Sequence, residues 1–150
     1  MEAVNNNASS SVAGNGQRIR TLVVDDDPLM RVALRLLLER DKTIHVVGTA
    51  GDGNQGYLLA NSLRPDLVLA DFHMPDMDGL ELTGVLSRDF PGTRVIIVTN
   101  DTDPELPNRC LAKGAHGFVS KDQLWHDLPT EIQRVFQMAA QPDAVPVAVT

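Results

Sequence analysis

The fold of this chain is decided by the segment Leu67–Gly79, whose sequence is LVLADFHMPDMDG. Its first four residues are apolar and end abruptly at the carboxylate of Asp71, after which Pro75 and Gly79 are typical of a turn. A short apolar run bounded in this way is typical of a buried strand in a parallel sheet. Because functional groups collect beyond the carboxyl ends of such strands, we expect a functional site around Asp71.

Polar side chains also come directly after three other predicted strands of the chain. These strands and their polar residues are Leu22–Val24 with Asp25–Asp27, Val95–Val98 with Thr99, and Gly117–Ser120 with Lys121. In a parallel sheet the carboxyl ends of all strands lie at the same edge. The sequence therefore predicts that several aspartates, a threonine and a lysine meet at one edge.

These elements, taken together and in this order, form a recognisable set of motifs. The motifs are Val23-Val24-Asp25-Asp26, Asp71-Phe72-His73-Met74-Pro75-x-Met77-Asp78-Gly79, Val98-Thr99 and Gly117-Phe118-x-x-Lys121. In them the sequence resembles the receiver domain of two-component response regulators, and Lys121-Asp122 is similar to receivers of the LuxR-type helix-turn-helix branch. The resemblance implies an α/β, flavodoxin-like fold: a doubly wound five-stranded parallel sheet in the order 2-1-3-4-5 with helices on both faces.

Composition narrows the class of protein further. With 150 residues, 43% of them hydrophobic, the chain can bury a core of its own. Its net charge of −7 argues against direct binding of nucleic acid or of an anionic membrane. A single cysteine, Cys110, cannot form an internal disulfide, and the chain has neither a signal-peptide pattern nor an apolar run of about 20 residues. We therefore expect a cytoplasmic protein that does not interact with membranes.

The predicted domain occupies most of the chain. Residues 1–17 are rich in Asn, Ser, Ala and Gly without periodicity and are predicted to be a disordered leader. Residues 18–140 are predicted to form the receiver domain, and residues 141–150 a flexible tail or the start of a linker. Within the domain, strand and helix patterns alternate five times, which predicts a parallel sheet covered on both faces.

Several helix features can be predicted from Gly, Pro and charged residues. The second helix is predicted over Tyr57–Leu63, after a glycine-rich surface turn. The fourth helix should start late or irregularly, because Pro104 and Pro107 cannot both fit one regular first turn. Pro129 is predicted to lie in the first turn of the last helix. In the first helix, Arg31 is assigned to a solvated face.

The resemblance implies a phosphoryl acceptor and a metal site at the sheet edge. The carboxylate of Asp71 can accept a phosphoryl group as an acyl phosphate. Mg²⁺ prefers oxygen ligands in octahedral geometry. By the resemblance, Asp26 and Asp71 would supply carboxylates, Asp25 would act through water, and His73 would contribute its backbone carbonyl.

The resemblance also assigns the residues of the switch. Lys121 would oppose the acidic cluster, and Thr99 would hydrogen-bond the phosphoryl oxygen once Asp71 is modified. The ring of Phe118 would then turn inward and change the surface formed by the fourth helix, the fifth strand and the fifth helix. Asn100 and His73 are predicted to modulate access to Asp71.

The sequence thus predicts a phosphorylation-dependent signalling switch rather than an enzyme with outside substrates. The expected upstream partner is a sensor histidine kinase or a histidine phosphotransfer protein. The expected downstream partner is another protein or a DNA-binding output domain, which these 150 residues do not contain. Whether the chain is a stand-alone receiver or part of a longer regulator stays open.

Two other classes of protein must be weighed. The segment Gly51-x-Gly53-x-x-Gly56, with Asp71 twenty residues after its first glycine, formally matches a dinucleotide-binding fingerprint. Against this alternative, Asp52 would put negative charge where a pyrophosphate should bind. A phosphatase of the dehalogenase type would need a second carboxylate two residues after Asp71, where the sequence has His73.

Overall fold

A computed structural model describes residues 17–140, with the backbone alone described at 138–140. The predicted leader, residues 1–17, lies outside the described residues except for its last position, and the predicted tail, residues 141–150, lies wholly outside them. Strands and helices alternate along the chain, with one 3-10 turn at Lys121–Gln123 before the last helix. The elements are β1 Ile19–Val24, α1 Pro28–Glu39, β2 Ile44–Ala50, α2 Gly53–Leu63, β3 Leu67–Asp71, α3 Gly79–Asp89, β4 Arg94–Thr99, α4 Leu106–Lys113, β5 Gly117–Ser120 and α5 Leu124–Ala140.

The five strands form one parallel sheet in the order β2-β1-β3-β4-β5. This is the doubly wound topology predicted from the sequence, and the prediction is confirmed. Val24 of β1 pairs with Ala70 of β3, so that Asp25 and Asp71 come next on neighbouring strands. Asp71 in turn pairs with Val98, one residue before Thr99. The topology therefore brings the polar residues at the strand ends to one edge.

Apolar side chains of the sheet alternate between two hydrophobic clusters, one on each face. In β3, Leu67 and Leu69 pack with α1 and α5, whereas Val68 and Ala70 pack with α2, α3 and α4. Because both faces are covered, the central strands need uninterrupted apolar runs rather than alternating ones. This explains why the segment before Asp71 has no polar residue and why the acidic site begins where the run ends.

Two helix boundaries differ from the predictions. The prediction that α2 begins at Tyr57 was wrong, because the side chain of Asp52 accepts a hydrogen bond from the backbone N–H of Gln55 and caps a helix that starts at Gly53. The prediction that Pro129 lies in the first turn of α5 was also wrong. The 3-10 turn capped by Ser120 leads directly into α5, which therefore contains Pro129 in its interior and forgoes one backbone hydrogen bond there.

The irregular start of α4 is confirmed. The helix begins only at Leu106, with Pro107 in its first turn, and no side chain caps its first residues. Gly114 ends the helix in the left-handed conformation that glycine adopts without steric cost. Cys110 of α4 is a free, buried thiol. Among residues 17–140, none of the helices combines the length and apolar composition needed to span a bilayer.

Candidate functional site

Three carboxylates meet where β1 and β3 end. One oxygen from each of Asp25, Asp26 and Asp71 lies within 4.8 Å of the others. Asp25 and Asp71 are only 1% and 7% exposed, whereas Asp26 is exposed to solvent. The predicted cluster is thus present, and it is open on the side of Asp26.

Lys121 supplies the positive charge of this cluster. It comes directly after β5, and its side chain is 11% exposed. Its Nζ lies 3.0 Å from Oδ2 of Asp25 and 3.4 Å from Oδ2 of Asp71. One ammonium group therefore contacts both buried carboxylates, as the predicted opposition between Lys121 and the acidic cluster requires.

Burial and neighbouring charges determine the protonation of the site. Burial raises the pKa of Asp71, the charge of Asp25 raises it further, and Lys121 opposes both effects. Burial acts to lower the pKa of Lys121, but its contacts with Asp25 and Asp71 outweigh this effect and the pKa is raised. Lys121 is therefore charged at neutral pH, and additional positive charge near Asp71 would favour the ionised form of its carboxyl group.

The two carboxylate oxygens of Asp25 have different surroundings. Oδ1 accepts a hydrogen bond of 2.9 Å from the backbone N–H of Asp27. Oδ2 is buried and, within the described part of the chain, has no hydrogen-bond partner, although it is in ion-pair contact with Lys121. Buried carboxylate oxygens without hydrogen-bond partners are costly unless a charge offsets them. Because Mg²⁺ is bound through carboxylate oxygens and water, this donor set fits it.

The loop after Asp71 is shaped by close backbone contacts. The N–H of Gly79 donates to the carbonyl of Phe72 over 2.8 Å. A Cβ atom at position 79 would lie only 2.4 Å from the carbonyl oxygen of Asp71, so this position requires glycine. Asp78 and Glu81 form a capping box that fixes the start of α3. The loop is therefore held against the backbone at the end of β3.

His73 and Asp101 connect two loops at the mouth of the site. Nε2 of His73 lies 2.9 Å from Oδ2 of Asp101. The ring of His73 is largely exposed, and Asn100 is exposed as well. Both residues predicted to modulate access thus lie on loops next to the acidic cluster. Their effect on access stays a prediction, as does coordination by the backbone carbonyl of His73.

The two predicted switch residues lie on β4 and β5. Thr99 is fully buried, and its hydroxyl oxygen accepts a hydrogen bond of 3.2 Å from the backbone N–H of Asp101. Phe118 is half-buried and packs against the cluster on the α2, α3 and α4 side of the sheet. Thr99 pairs with Ser120, and Ile97 pairs with Phe118. Thr99 and Phe118 therefore lie on neighbouring, directly paired strands.

Arg31 was missed as a neighbour of the site. Its Nη1 donates a hydrogen bond of 2.7 Å to the backbone carbonyl of Asp25, and the residue is half-buried, so its assignment to a solvated face was wrong. Arg31 comes four positions after the N-cap residue Asp27, which places it one turn into α1 on the side of the site. That spacing is the signal from which the contact could have been predicted.

The glycine-rich segment has a structural role. A Cβ atom at Gly53 would lie 2.4 Å from the carbonyl oxygen of Met77, and one at Gly56 would lie 3.0 Å from the side chain of Val24. These glycines therefore allow α2 to pack closely on the sheet and on the loop after β3. Asp52 caps the helix at the position where a pyrophosphate would bind. Nothing supports the dinucleotide-binding alternative.

Comparison with known proteins defines the family. The chain belongs to the response regulator receiver domain family, whose sequence model matches residues 21–133. Members of this family are signalling regulators that switch on phosphorylation. The chain is 36% identical to the response regulator GacA of Pseudomonas aeruginosa over 118 residues, which cover 79% of this chain and 55% of that protein. The chain spans about half the length of the curated relatives it matches.

Solved structures are similar to the whole described domain. A LuxR-family two-component response regulator from Aurantimonas shares 28% identity with a TM-score of 0.77, covering 81% of this chain and 86% of that chain. The complex of CheX, CheY, BeF3 and Mg²⁺ from Borrelia burgdorferi contains a chain with 25% identity and a TM-score of 0.74, covering 79% of this chain and 89% of that chain. The chain is thus similar to receivers of the LuxR branch, as its motifs indicated.

Proposed function

We propose that this chain is a switch in which Asp71 accepts a phosphoryl group from a histidine kinase or a histidine phosphotransfer protein. One observation carries the proposal: the carboxylate of Asp71 ends a buried strand and lies between two acidic residues and the ammonium of Lys121, 3.4 Å away. The proposal takes residues 18–140 as the receiver domain, with residues 1–17 as a leader and 141–150 as a tail or linker. It places the chain in the cytoplasm, where the buried Cys110 remains a thiol.

The proposed reaction is a direct transfer to Asp71. A carboxylate oxygen of Asp71 forms a bond to phosphorus while the bond between phosphorus and the donor's imidazole nitrogen breaks. The electron pair of that bond stays on the imidazole, and the product is an acyl phosphate. Lys121 contacts the carboxylate that reacts, so its charge is positioned to stabilise the phosphoryl oxygens.

Mg²⁺ is the cofactor of this proposal. Asp25, Asp26 and Asp71 would hold it through carboxylate oxygens or water, and His73 through its backbone carbonyl. The bound ion would neutralise charge on the transferring phosphoryl group. The grouping of three carboxylates around the ammonium of Lys121 supports a further cation at this position, as does the presence of Mg²⁺ and BeF3 in the similar CheX–CheY complex.

The proposed output is a change of surface around α4, β5 and α5. Thr99 would hydrogen-bond the new phosphoryl group, and its inward movement would leave space for the ring of Phe118 to turn in. The two residues lie on paired strands. Asn100 and His73 would set how easily water or a donor reaches Asp71. The downstream partner would be another protein or a DNA-binding output domain outside these 150 residues.

Intact-mass measurement tests the acceptor directly. The chain is incubated with acetyl phosphate and Mg²⁺, and we expect a gain of one phosphoryl group that is absent from Asp71→Asn. The matched control is Asp76→Asn, which changes an exposed carboxylate in the same loop; Asn also tolerates the positive φ of 69° at that position. An unchanged gain in Asp71→Asn, or a loss in Asp76→Asn, would contradict the assignment.

A further inference from the structure

The edge of β5 is covered by two side chains of α5. β5 is the last strand of the sheet and pairs only with β4 among the described strands, so one side of its backbone has no neighbouring strand. On that side, the backbone N–H of Phe118 donates to Oε2 of Glu131 over 3.0 Å. The carbonyl of His116 accepts a hydrogen bond of 2.9 Å from Nη2 of Arg134. Glu131 and Arg134 thus take the place of a sixth strand, and we call this pair the edge clamp.

The edge clamp is a tight structure rather than a loose surface pair. Nε and Nη2 of Arg134 donate to the two carboxylate oxygens of Glu131, each over 2.9 Å, in the paired geometry that makes such contacts strong. A Cβ atom at Gly117 would lie 2.6 Å from Oε2 of Glu131, so the carboxylate rests directly on the strand. Burial acts to raise the pKa of Glu131, but Arg134 and the N–H of Phe118 outweigh it and the pKa is lowered.

The edge clamp also connects α5 to the backbone of Phe118. The N–H that it holds belongs to the residue whose ring is proposed to move on phosphorylation. A side chain from α5 therefore bonds the backbone of the switch residue itself, while Lys121, which contacts Asp71, lies three residues before α5 begins. α5 is thus linked to β5 through Glu131 and to the acidic cluster through the 3-10 turn that begins at Lys121.

We propose that Glu131 is a positioning residue that transmits the state of Phe118 to α5. When Phe118 and its strand shift, the hydrogen bond from Phe118 to Glu131 obliges α5 to follow; without that bond, β5 can move while α5 stays in place. This inference rests on the proposed switch function, but it concerns only how the change spreads. The competing explanation is that the edge clamp merely prevents β5 from pairing with other chains.

Trp125 provides the reporter for the test. It is the only tryptophan of the chain, lies in the first turn of α5 and is 56% exposed. The guanidinium of Arg40, at the end of α1, lies 5.9 Å from its ring centroid, so a movement of α5 relative to α1 changes the surroundings of the indole. Fluorescence is recorded with Mg²⁺ alone and then with Mg²⁺ and beryllofluoride, which mimics the phosphoryl group.

The expected results separate transmission from stability. Wild type and the control Glu39→Ala, which removes an exposed carboxylate of α1, should show the same beryllofluoride-dependent change in Trp125 fluorescence. Glu131→Ala should lose that change, whereas Glu131→Gln should retain most of it, because its amide oxygen can still accept from Phe118. A full change in Glu131→Ala, or none in wild type, would overturn the inference. A merely structural role would lower the melting temperature and leave the fluorescence change intact.

Two further measurements keep the outcome interpretable. If Glu131→Ala does not fold, Arg134→Met is used instead, because this substitution removes the partner that holds Glu131 in place. A reduced fluorescence change in Arg134→Met supports the inference, and a full fluorescence change contradicts it. Acetyl phosphate treatment of the same samples is monitored by intact mass. If the mass gain is normal and the fluorescence change does not depend on Glu131, the proposed role of Glu131 is refuted and the proposed switch is not. If wild type shows no mass gain, the proposed switch itself is refuted.

Discussion

At the scale of single residues, the site contains more negative than positive charge. Among the described residues, Lys121 is the one cation that forms ion pairs with the carboxylates of Asp25 and Asp71. A third carboxylate, that of Asp26, lies within reach of both. Two like charges 4 Å apart repel by about 4 kcal/mol at an effective dielectric of 20. Lys121 offsets part of this repulsion, and under the proposed function a bound Mg²⁺ would offset more of it. We therefore expect these carboxylates to lower the stability of the domain when no metal is bound.

Removing Asp26 should separate the repulsion among the carboxylates from the stabilisation by Mg²⁺. We expect Asp26→Ala to melt at a higher temperature than wild type without metal, because one repelling charge is gone. In wild type, Mg²⁺ at ten times its dissociation constant should add about 1.4 kcal/mol of stability, or roughly 5 °C, and Asp26→Ala should lack this increase. Thermal unfolding with and without Mg²⁺ measures both, with Glu39→Ala as the control for loss of one carboxylate. An unchanged response in Asp26→Ala would show that the metal binds elsewhere.

The edge clamp makes a pH-dependent contribution to stability. The pKa of Glu131 is lowered in the folded state although burial opposes this, because Arg134 and the N–H of Phe118 favour the ionised form; the charge of Asp127 acts in the opposite direction. Stabilisation by Glu131 is therefore complete above the ordinary glutamate pKa of about 4.3 and is lost as the pH falls through the lowered folded-state value. Urea unfolding should show Glu131→Gln less stable than wild type at pH 7, with a difference that shrinks on acidification. A difference that stays constant in acid would contradict this.

The sequence allowed only part of the site to be predicted. Five residues of the site could be located because they come at the ends of predicted strands, and parallel topology brings such positions together. These residues are Asp25, Asp26, Asp71, Thr99 and Lys121. Contacts made by side chains of other elements carry no comparable signal. Arg31 and Glu131 approach the backbone of strand residues from α1 and α5, and their geometry depends on how those helices pack.

At the scale of elements, the helix termini determine the shape of the site. α3 begins with the capping box of Asp78 and Glu81, and its first residue, Gly79, lies against the last residue of β3. The positions of Pro104 and Pro107 predicted the late start of α4 correctly, because two prolines exclude a regular first turn. The predicted starts of α2 and α5 were wrong, because capping by Asp52 and Ser120 begins helical structure before the apolar periodicity does. Capping side chains, rather than hydrophobic spacing, set those boundaries.

The contact of α3 with β3 can be tested with two glycines. Gly79→Ala should lower the free energy of unfolding by about 1–3 kcal/mol, because the added Cβ overlaps the carbonyl of Asp71 and overpacking of this kind costs that much. Gly92→Ala is the control, since a Cβ there meets nothing within 4 Å, and it should change stability by no more than about 0.5 kcal/mol. Urea unfolding of both variants makes the comparison. Equal effects would mean that the close approach at Gly79 does not hold the loop.

α4 should be the element that responds most to phosphorylation. It has eight residues, lacks a side-chain cap at its start and lies between Thr99 and Phe118. Weakly held elements next to a trigger are those whose population a modest energy can shift. Amide exchange with and without beryllofluoride should therefore show its largest difference between Thr99 and Phe118. A larger difference in α2 would make the second helix the candidate output surface instead.

At the scale of the whole molecule, the fold separates stability from function. Two apolar clusters, one on each face of the sheet, hold the domain together, while the acidic residues and Lys121 lie at the carboxyl edge outside both clusters. Because of this division, the alternating strand and helix patterns predicted a parallel sheet covered on both faces, and the polar residues at the strand ends predicted the site. The strand order came from the resemblance to receiver domains. The net charge of −7 disfavours electrostatic attraction to nucleic acid.

The central claim, that Asp71 alone carries the phosphoryl group, can be tested by trapping the product. An acyl phosphate is reduced by borohydride to a primary alcohol with loss of phosphate, which marks the modified aspartate permanently. After treatment with acetyl phosphate and Mg²⁺, borohydride reduction and proteolysis, peptide mass spectrometry should find this mark at Asp71 and at no other residue. A mark at Asp25 or Asp26, or an equal mark in Asp71→Asn, would contradict the account.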